Sequence, residues 1–241
     1  MSEINKLLDA KMLEHSKHEA KRNYLGASQI GDECLRKIQL QYLGKDAEIS
    51  AQTLRTFAIG TKLEDLVADW IRISGIDLKT RNDEGKQFGF CVADGKIAGH
   101  VDGIIYAFPD EIALKAPALW ECKTMNHNNW RDTAKRGMMV AKTTYYAQIQ
   151  LYMAYMKLTE NPCLFTALDK DTSELYFELI PFDAEAAQRY SNQAVQIIKA
   201  SENGEFMPCI SNDPSFFRCK MCGFRNICRG NPTDRGEGQC F

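Results

Sequence analysis

The stretch His100-Val101-Asp102-Gly103-Ile104-Ile105, with seventeen residues between Gly103 and the following Glu121-Cys122-Lys123, decides how this chain of 241 residues is read. The Asp94-Gly95 pair signals a hairpin turn, Ile97 to Phe108 reads as a strand after it, and Pro117 to Thr124 reads as another. Asp102 therefore lies in one strand. In the next, Glu121 and Lys123 are two residues apart and share a face, while Trp120 and Cys122 point the other way, into the packing layer. Two acids and a lysine so placed are what metal-assisted phosphodiester hydrolysis requires. The carboxylates hold one or two hard cations, and the ammonium orients or activates water and offsets developing phosphoryl charge. By the same alternation His100 shares the face of Asp102, which makes it a further candidate for the metal or an incoming phosphate.

Around this centre the hydrophobic period switches between helix and strand. A charged helix is expected over residues 3 to 22. Ser28 is placed to cap a helix running through Ile30, Leu35, Ile38 and Leu40, with Gly44 closing it. After Ser50 a long helical segment carries Leu54, Phe57, Leu63, Leu66, Val67 and Trp70, and Gly60 inside it marks either a close approach or a break. Phe88, Phe90 and Val92 alternate as a strand. Asn126 to Asn129 reads as a loop opening onto a short helix from Trp130 to Arg136. Thr144 to Leu158 is a helix with Tyr145, Ile149, Tyr152, Met153 and Met156 on or near one apolar stripe. A hairpin of Pro162 to Leu168 and Glu174 to Ile180 precedes a last long helix from Asp183 to about Ala200. From Asn203 onward the chain is irregular and rich in Gly, Pro and Cys, too weakly apolar to order by burial alone.

The composition, 44% hydrophobic and 26% charged, is that of a soluble globular protein large enough for one sizeable core. No run of 18 apolar residues occurs and the N-terminus lacks an apolar signal core, so no membrane and a cytoplasmic, reducing location are expected. The nine cysteines then serve as metal ligands or core residues, Cys91 and Cys163 being expected in the core. The net charge of -2 disfavours a general nucleic-acid binder, but the basic residues are clustered. Lys123, Arg131, Lys135, Arg136, Lys142 and Lys157 face one acid, Asp132, across residues 123 to 157. Arg218, Lys220, Arg225 and Arg229 face none across 215 to 229. Trp130, Arg131, Lys135, Arg136 and Lys142 are the candidate DNA contacts, with Trp130 available to stack on a base.

The set Asp102, Glu121 and Lys123 resembles the PD-(D/E)xK nuclease superfamily, although Val101 stands where the family's leading proline would be. The resemblance implies an α/β (α+β) restriction-endonuclease-like core with a central mixed sheet flanked by helices. It also implies Mg2+ or Mn2+ held by Asp102, Glu121 and the backbone carbonyl of Cys122, with Lys123 positioning or deprotonating the attacking water. Gly60-Thr61-Lys62-Leu63-Glu64 is similar to the helical motif of the RecB-like and phage exonuclease branches, which makes Glu64 a further metal ligand. Tyr146-Ala147-Gln148-Ile149-Gln150-Leu151-Tyr152 is similar to the Gln-x-x-x-Tyr motif of those branches, which assigns catalytic roles to Gln148 and Tyr152, one helical turn apart.

Cys219-Lys220-Met221-Cys222, followed by five residues and Cys228, has metal-ligand spacing and needs a fourth ligand. Ser28 to Lys37, which contains Cys34, resembles the N-terminal cysteine region of the iron-sulfur nucleases allied to RecB, including the AddB-type repair nucleases and the CRISPR-associated adaptation nuclease. That resemblance implies a 4Fe-4S cluster on Cys34, Cys219, Cys222 and Cys228 joining the N- and C-terminal regions, with structural zinc as the alternative. The expected organisation is one nuclease domain over 1-241, in which 26-50 and 203-230 bind the cluster and 51-202 form the catalytic core. The expected activity is a metal-dependent DNA exonuclease acting on single-stranded or resected ends in phage or bacterial recombination, replication or repair, as a homo-oligomer or with a partner protein. A structure-selective endonuclease and a catalytically silent DNA-binding subunit are the alternatives.

Overall fold

Strand Ala118–Met125 carries the acid-x-lysine pair, and most of it is buried on both faces, as a central strand of a covered sheet must be. It pairs in parallel with Cys163–Asp169, every residue of which is buried. A computed structural model describes this arrangement for residues 2–18 and 22–229. In chain order the elements begin with α1 (Glu3–Ser16), β1 (Leu25–Gly26), α2 (Ala27–Ile30), α3 (Leu35–Tyr42) and α4 (Ala51–Ile73). Four strands follow, β2 (Asp77–Lys79), β3 (Gly89–Val92), β4 (Ile97–His100) and β5 (Gly103–Ala107), and then β6 (Ala118–Met125). Helices α5 (His127–Arg136), α6 (Met138–Ala141) and α7 (Thr143–Met156) lead to β7 (Cys163–Asp169) and β8 (Leu175–Ile180), and α8 (Ala184–Glu202), α9 (Phe217–Lys220) and α10 (Arg225–Arg229) are the last elements among the described residues.

Two compact units are built from these elements, one of residues 26–31 and 60–194, the other of 1–25, 32–59 and 195–241. The first contains a five-stranded mixed sheet in the order β2-β5-β6-β7-β8, in which only β6 and β7 run parallel. A parallel pair needs a long crossover, and α5, α6 and α7 supply it. The sheet is flanked by helices. On one face, Val67, Ala68 and Ile71 of α4 pack with Trp120 and Cys122 in a core cluster, as the alternation along β6 predicts. On the other lies α7, whose residues Tyr146 to Met153 are all buried. The single apolar stripe expected of this helix is thus too narrow. Its polar positions are satisfied internally: Gln150 takes the Asp183 N–H at 2.7 Å and gives to the Pro181 carbonyl at 3.1 Å. Asp183 in turn caps α8 through the Ala186 N–H and accepts from the Tyr146 hydroxyl, bonds that hold its carboxyl below the usual range.

A second sheet, β1-β4-β3, corrects the sequence expectation of one strand from Ile97 to Phe108. The chain leaves the ladder at Val101 and Asp102, so β4 and β5 belong to different sheets. Cys91, expected in the core, is exposed on β3, an outer strand of this smaller sheet, whereas Cys163 is buried as expected. Gly60 does not break α4: a Cβ there would meet Thr124 Oγ1 at 3.5 Å, an ordinary contact. Gly31 does interrupt the helix expected after Ser28. A Cβ on it would lie 2.5 Å from Ala147 Cβ and 2.8 Å from Thr144 Cα, so the α2 to α7 approach admits only glycine. Gly31→Ala is expected to destabilise the fold by about 1–3 kcal/mol through overpacking, read as a lower urea midpoint at unchanged slope.

The other unit orders its irregular tail through polar contacts as well as burial. Buried Gln39 gives to the Glu205 carbonyl at 2.6 Å and takes the Met207 N–H at 2.8 Å. Arg36 donates to the Met207 carbonyl and stacks on Phe206, 4.5 Å from its centroid. Glu48 binds the Gly223 carbonyl through its N–H at 2.8 Å and the Asn226 amide through its carboxylate at 2.6 Å. Each contact satisfies a group that the lack of regular structure would leave unpaired. Helix α1 ends at Ser16, short of the expected residue 22, and the gap includes residues outside the described range. Among the described residues no helix is long and apolar enough to cross a membrane.

Candidate active site

The bend at Asp102 and the register of β6 bring the predicted acids and lysine together. Asp102 Oδ2 accepts the backbone N–H of Cys122 at 2.9 Å and lies 3.6 Å from Lys123 Nζ. Lys123 Nζ also gives to Glu121 Oε1 at 2.5 Å and to the Cys122 carbonyl at 3.1 Å. Glu121 is fully buried, and Gln148 Nε2 donates to the same Oε1 at 2.5 Å. Its other oxygen, Oε2, is a buried side-chain atom with no hydrogen-bond partner among the described residues. Leaving a buried carboxylate oxygen unpartnered costs more than a formed hydrogen bond contributes, so this atom calls for an explanation in terms of what the site holds.

Burial pushes the Glu121 carboxyl up to about 8, the charge of Asp102 adds to the effect, and Lys123 opposes it. Glu64, half-buried on α4, is raised to about 7 by burial first and then by Asp102. The Lys123 ammonium is stabilised well above its ordinary value: burial opposes its charge, but Asp102 and Glu121 more than offset it. Three carboxyl groups thus converge on one field, two of them resisting ionisation, and the positive charge among them is that of Lys123. Among the described residues no group of three or more His, Cys, Asp or Glu side chains is arranged so as to hold a metal ion. The nearby donor atoms are nonetheless all oxygen, the kind that suits a hard divalent cation, and Glu121 Oε2 lacks a partner among the described residues.

Gln148 and Tyr152 lie on the α7 face that covers β6. The Tyr152 hydroxyl shares a hydrogen bond with Gln148, and burial, followed by the Glu121 charge, raises its phenol. Its ring meets Phe90 edge-on at 5.9 Å. His100 is the exposed last residue of β4, in the other sheet from β5, so the alternation that would aim it at Asp102 does not run through the bend.

The predicted DNA contacts divide into committed and uncommitted groups. Arg136 pairs with Asp132 at 2.9 Å, and Lys142 gives to Asn129 Oδ1 at 2.5 Å, its ammonium lowered chiefly by burial. Trp130 is half-buried, its indole N–H on the Ala167 carbonyl at 3.0 Å and its ring stacked with His127. That makes it an anchor of α5. Arg131 and Lys135 are exposed on the same helix. The expected loop at residues 126 to 129 is the first turn of α5, because Asn126 caps the Asn129 N–H. A pair the sequence did not reveal is His127 Nδ1 with buried Asp169 Oδ2, 2.7 Å apart. Only the register of Met125 with Asp169 brings them together, and no local pattern signals it.

In the other unit, Cys34, Cys219, Cys222 and Cys228 are free thiols lining one cavity of about 540 Å³, together with Arg36, Lys37 and Phe217. Cys209 lines it too, its sulfur 3.5 Å from that of Cys228. Standing ten residues before Cys219, it carried no spacing signal. The soft donors suit zinc or an iron-sulfur cluster in kind, but among the described residues no three of them are grouped so as to hold a metal ion.

No protein-family model matches the chain, and no curated protein matches it in sequence. Its fold is similar to that of LHK-Exo in complex with dAMP, with a TM-score of 0.54 and 19% identity over 76% of this chain and 89% of that one. The alkaline exonuclease LHK-Exo from Laribacter hongkongensis gives a TM-score of 0.52 and 18% identity over 76% and 90% of the two chains. SSO0001 matches over 95% of this chain and 97% of its own, with a TM-score of 0.53 and 18% identity. At such identities the likeness defines the class of fold, a mixed sheet flanked by helices that an alkaline exonuclease also adopts.

Proposed function

We propose that this chain is a divalent-metal-dependent deoxyribonuclease of the PD-(D/E)xK type that degrades DNA from its ends. The observation that carries the reading is Glu121, buried with one oxygen unpartnered and the other shared by Lys123 and Gln148, beside Asp102 and Glu64. The likeness in fold to an alkaline exonuclease supports it and favours attack from an end. Asp102, Glu121, Glu64 and the Cys122 carbonyl would hold Mg2+ or Mn2+, which supplies Lewis-acid polarisation of the phosphate and lowers the pKa of a water. Lys123 orients that water and offsets charge on the phosphoryl oxygens. Gln148 fixes the Glu121 carboxylate, and Tyr152 fixes Gln148. Arg131 and Lys135, the uncommitted cations of α5, guide the strand.

End-labelled linear and circular single-stranded DNA, each incubated with the protein and Mn2+, separate the modes of action. Loss of the linear substrate alone is expected. Cutting of the circle identifies an endonuclease, and binding of both without cleavage identifies a silent binding subunit.

For the cysteine cavity we propose a 4Fe-4S cluster on Cys34, Cys219, Cys222 and Cys228, cross-linking residues 32–59 to the tail within their unit. Anaerobically purified protein is expected to be brown and to contain iron and sulfide in equal amounts. Colourless protein with stoichiometric zinc would replace the cluster with a structural zinc site.

A further inference from the structure

Gln148 and Tyr152 have roles in the site described above, but Tyr145 has none. Tyr145 precedes Gln148 by three residues and Gln148 precedes Tyr152 by four, so the three side chains share one face of α7. That face lies over β6 residue by residue. Gln148 reaches Glu121, and the ring centroid of Tyr145 lies 5.5 Å from Lys123 Nζ. In the sequence Tyr145 reads as one more apolar position, and only the helical spacing back from Gln148 marks it.

We propose that Tyr145 is a positioning residue for Lys123, its ring being the wall that holds the ammonium over Glu121, Asp102 and the Cys122 carbonyl. The inference rests on the nuclease reading of the site. The oxygens that Nζ approaches, Glu121 Oε1 at 2.5 Å, the Cys122 carbonyl at 3.1 Å and Asp102 Oδ2 at 3.6 Å, all come from β6 or from the bend beside it. A lysine head is strongly hydrated and rides on a flexible four-carbon stem, so contacts on one side do not stop it swinging into water. Lys123 keeps 20% of its side chain exposed, so that route is open. An aromatic face attracts the cation without adding a charge to a site that already gathers three carboxyl groups. A fourth acid would hold the lysine equally well but would compete with Glu121 for it.

The test compares Tyr145→Phe, which keeps the ring face, with Tyr145→Leu, which fills space without one. For each, kcat and KM are measured on linear single-stranded DNA at saturating Mn2+. The rate at which an acylating reagent labels Lys123 in metal-free protein is followed by mass spectrometry. The phenylalanine variant should stay within twofold of the parent on every measure. The leucine variant should lose about tenfold in kcat with KM within twofold, and should label several times faster. A raised KM at unchanged kcat in Tyr145→Leu would make Tyr145 a DNA contact and overturn the proposal, as would equal kcat and labelling in all three proteins. If the parent protein cleaves no DNA, the nuclease reading falls and the labelling rates alone decide: faster labelling in the leucine variant sustains the role of Tyr145, and equal rates overturn it.

Discussion

Lys123→Ala is expected to lower the turnover of linear single-stranded DNA by roughly a thousandfold, the range for removing a group that both orients a nucleophile and stabilises transition-state charge. The lysine is also the counter-charge of a fully buried glutamate, bonded to it at 2.5 Å, so the substitution leaves Glu121 with an uncompensated charge. The two consequences separate by pH. Near pH 5 Glu121 is protonated, its carboxyl being pushed up to about 8, and the variant should unfold close to the parent temperature. Near pH 9 it should unfold well below it. Single-turnover rates at saturating DNA, taken where both proteins are folded, isolate the chemical effect. Cleavage by Lys123→Ala at the parent rate would remove Lys123 from the site.

Metal-free protein is expected to lose stability as pH rises from about 4.5 toward 8, the reverse of ordinary acid denaturation. Glu121 and Glu64 have folded-state values of about 8 and about 7, against 4.5 for an ordinary glutamate. Between those limits the folded chain binds more protons than the unfolded chain, so the slope of unfolding free energy with pH is negative. The stabilisation is complete below pH 4.5 and lost as pH passes the folded values. A tenfold difference in proton affinity is worth about 1.4 kcal/mol, or about 3–5 °C in Tm for a chain of this size, and two such groups make the trend measurable. Mg2+ or Mn2+ competes with those protons, so its stabilising effect should grow with pH over the same window. Glu121→Gln should flatten the pH profile and abolish most of the metal effect. A metal-free Tm that rises from pH 5 to 8, with no added effect of Mn2+, would contradict the assignment of both glutamates.

Much of this site is local in the sequence. Glu121 and Lys123 are two apart on a strand, Gln148 and Tyr152 one turn apart on a helix, and such periodicities survive folding unchanged. The division of β6 into a face bearing Glu121 and Lys123 and a Trp120–Cys122 packing face follows from the same rule. Features that depend on one chain segment meeting another were not legible. The bend at Val101–Asp102 sends β4 and β5 into different sheets and removes His100 from the argument, and no residue type in Ile97 to Phe108 signals it. The burial of α7 on all sides depends on what surrounds it, and its polar residues Gln148 and Gln150 masked that by their type. The polar contacts that order the tail after Asn203, which is too weakly apolar to order by burial alone, are not legible because their partners, Gln39, Arg36 and Glu48, lie more than 150 residues away.

The most direct test of the central claim is hydrolysis of end-labelled linear single-stranded DNA by the protein and by Glu121→Gln, side by side, with Mn2+ and with a chelator. The parent protein should release nucleotides only with the metal, and Glu121→Gln should be folded and inert in both conditions. Metal-independent release, or release by Glu121→Gln at the parent rate, would show that the buried carboxylate with its unpartnered oxygen is not where the phosphodiester is cut.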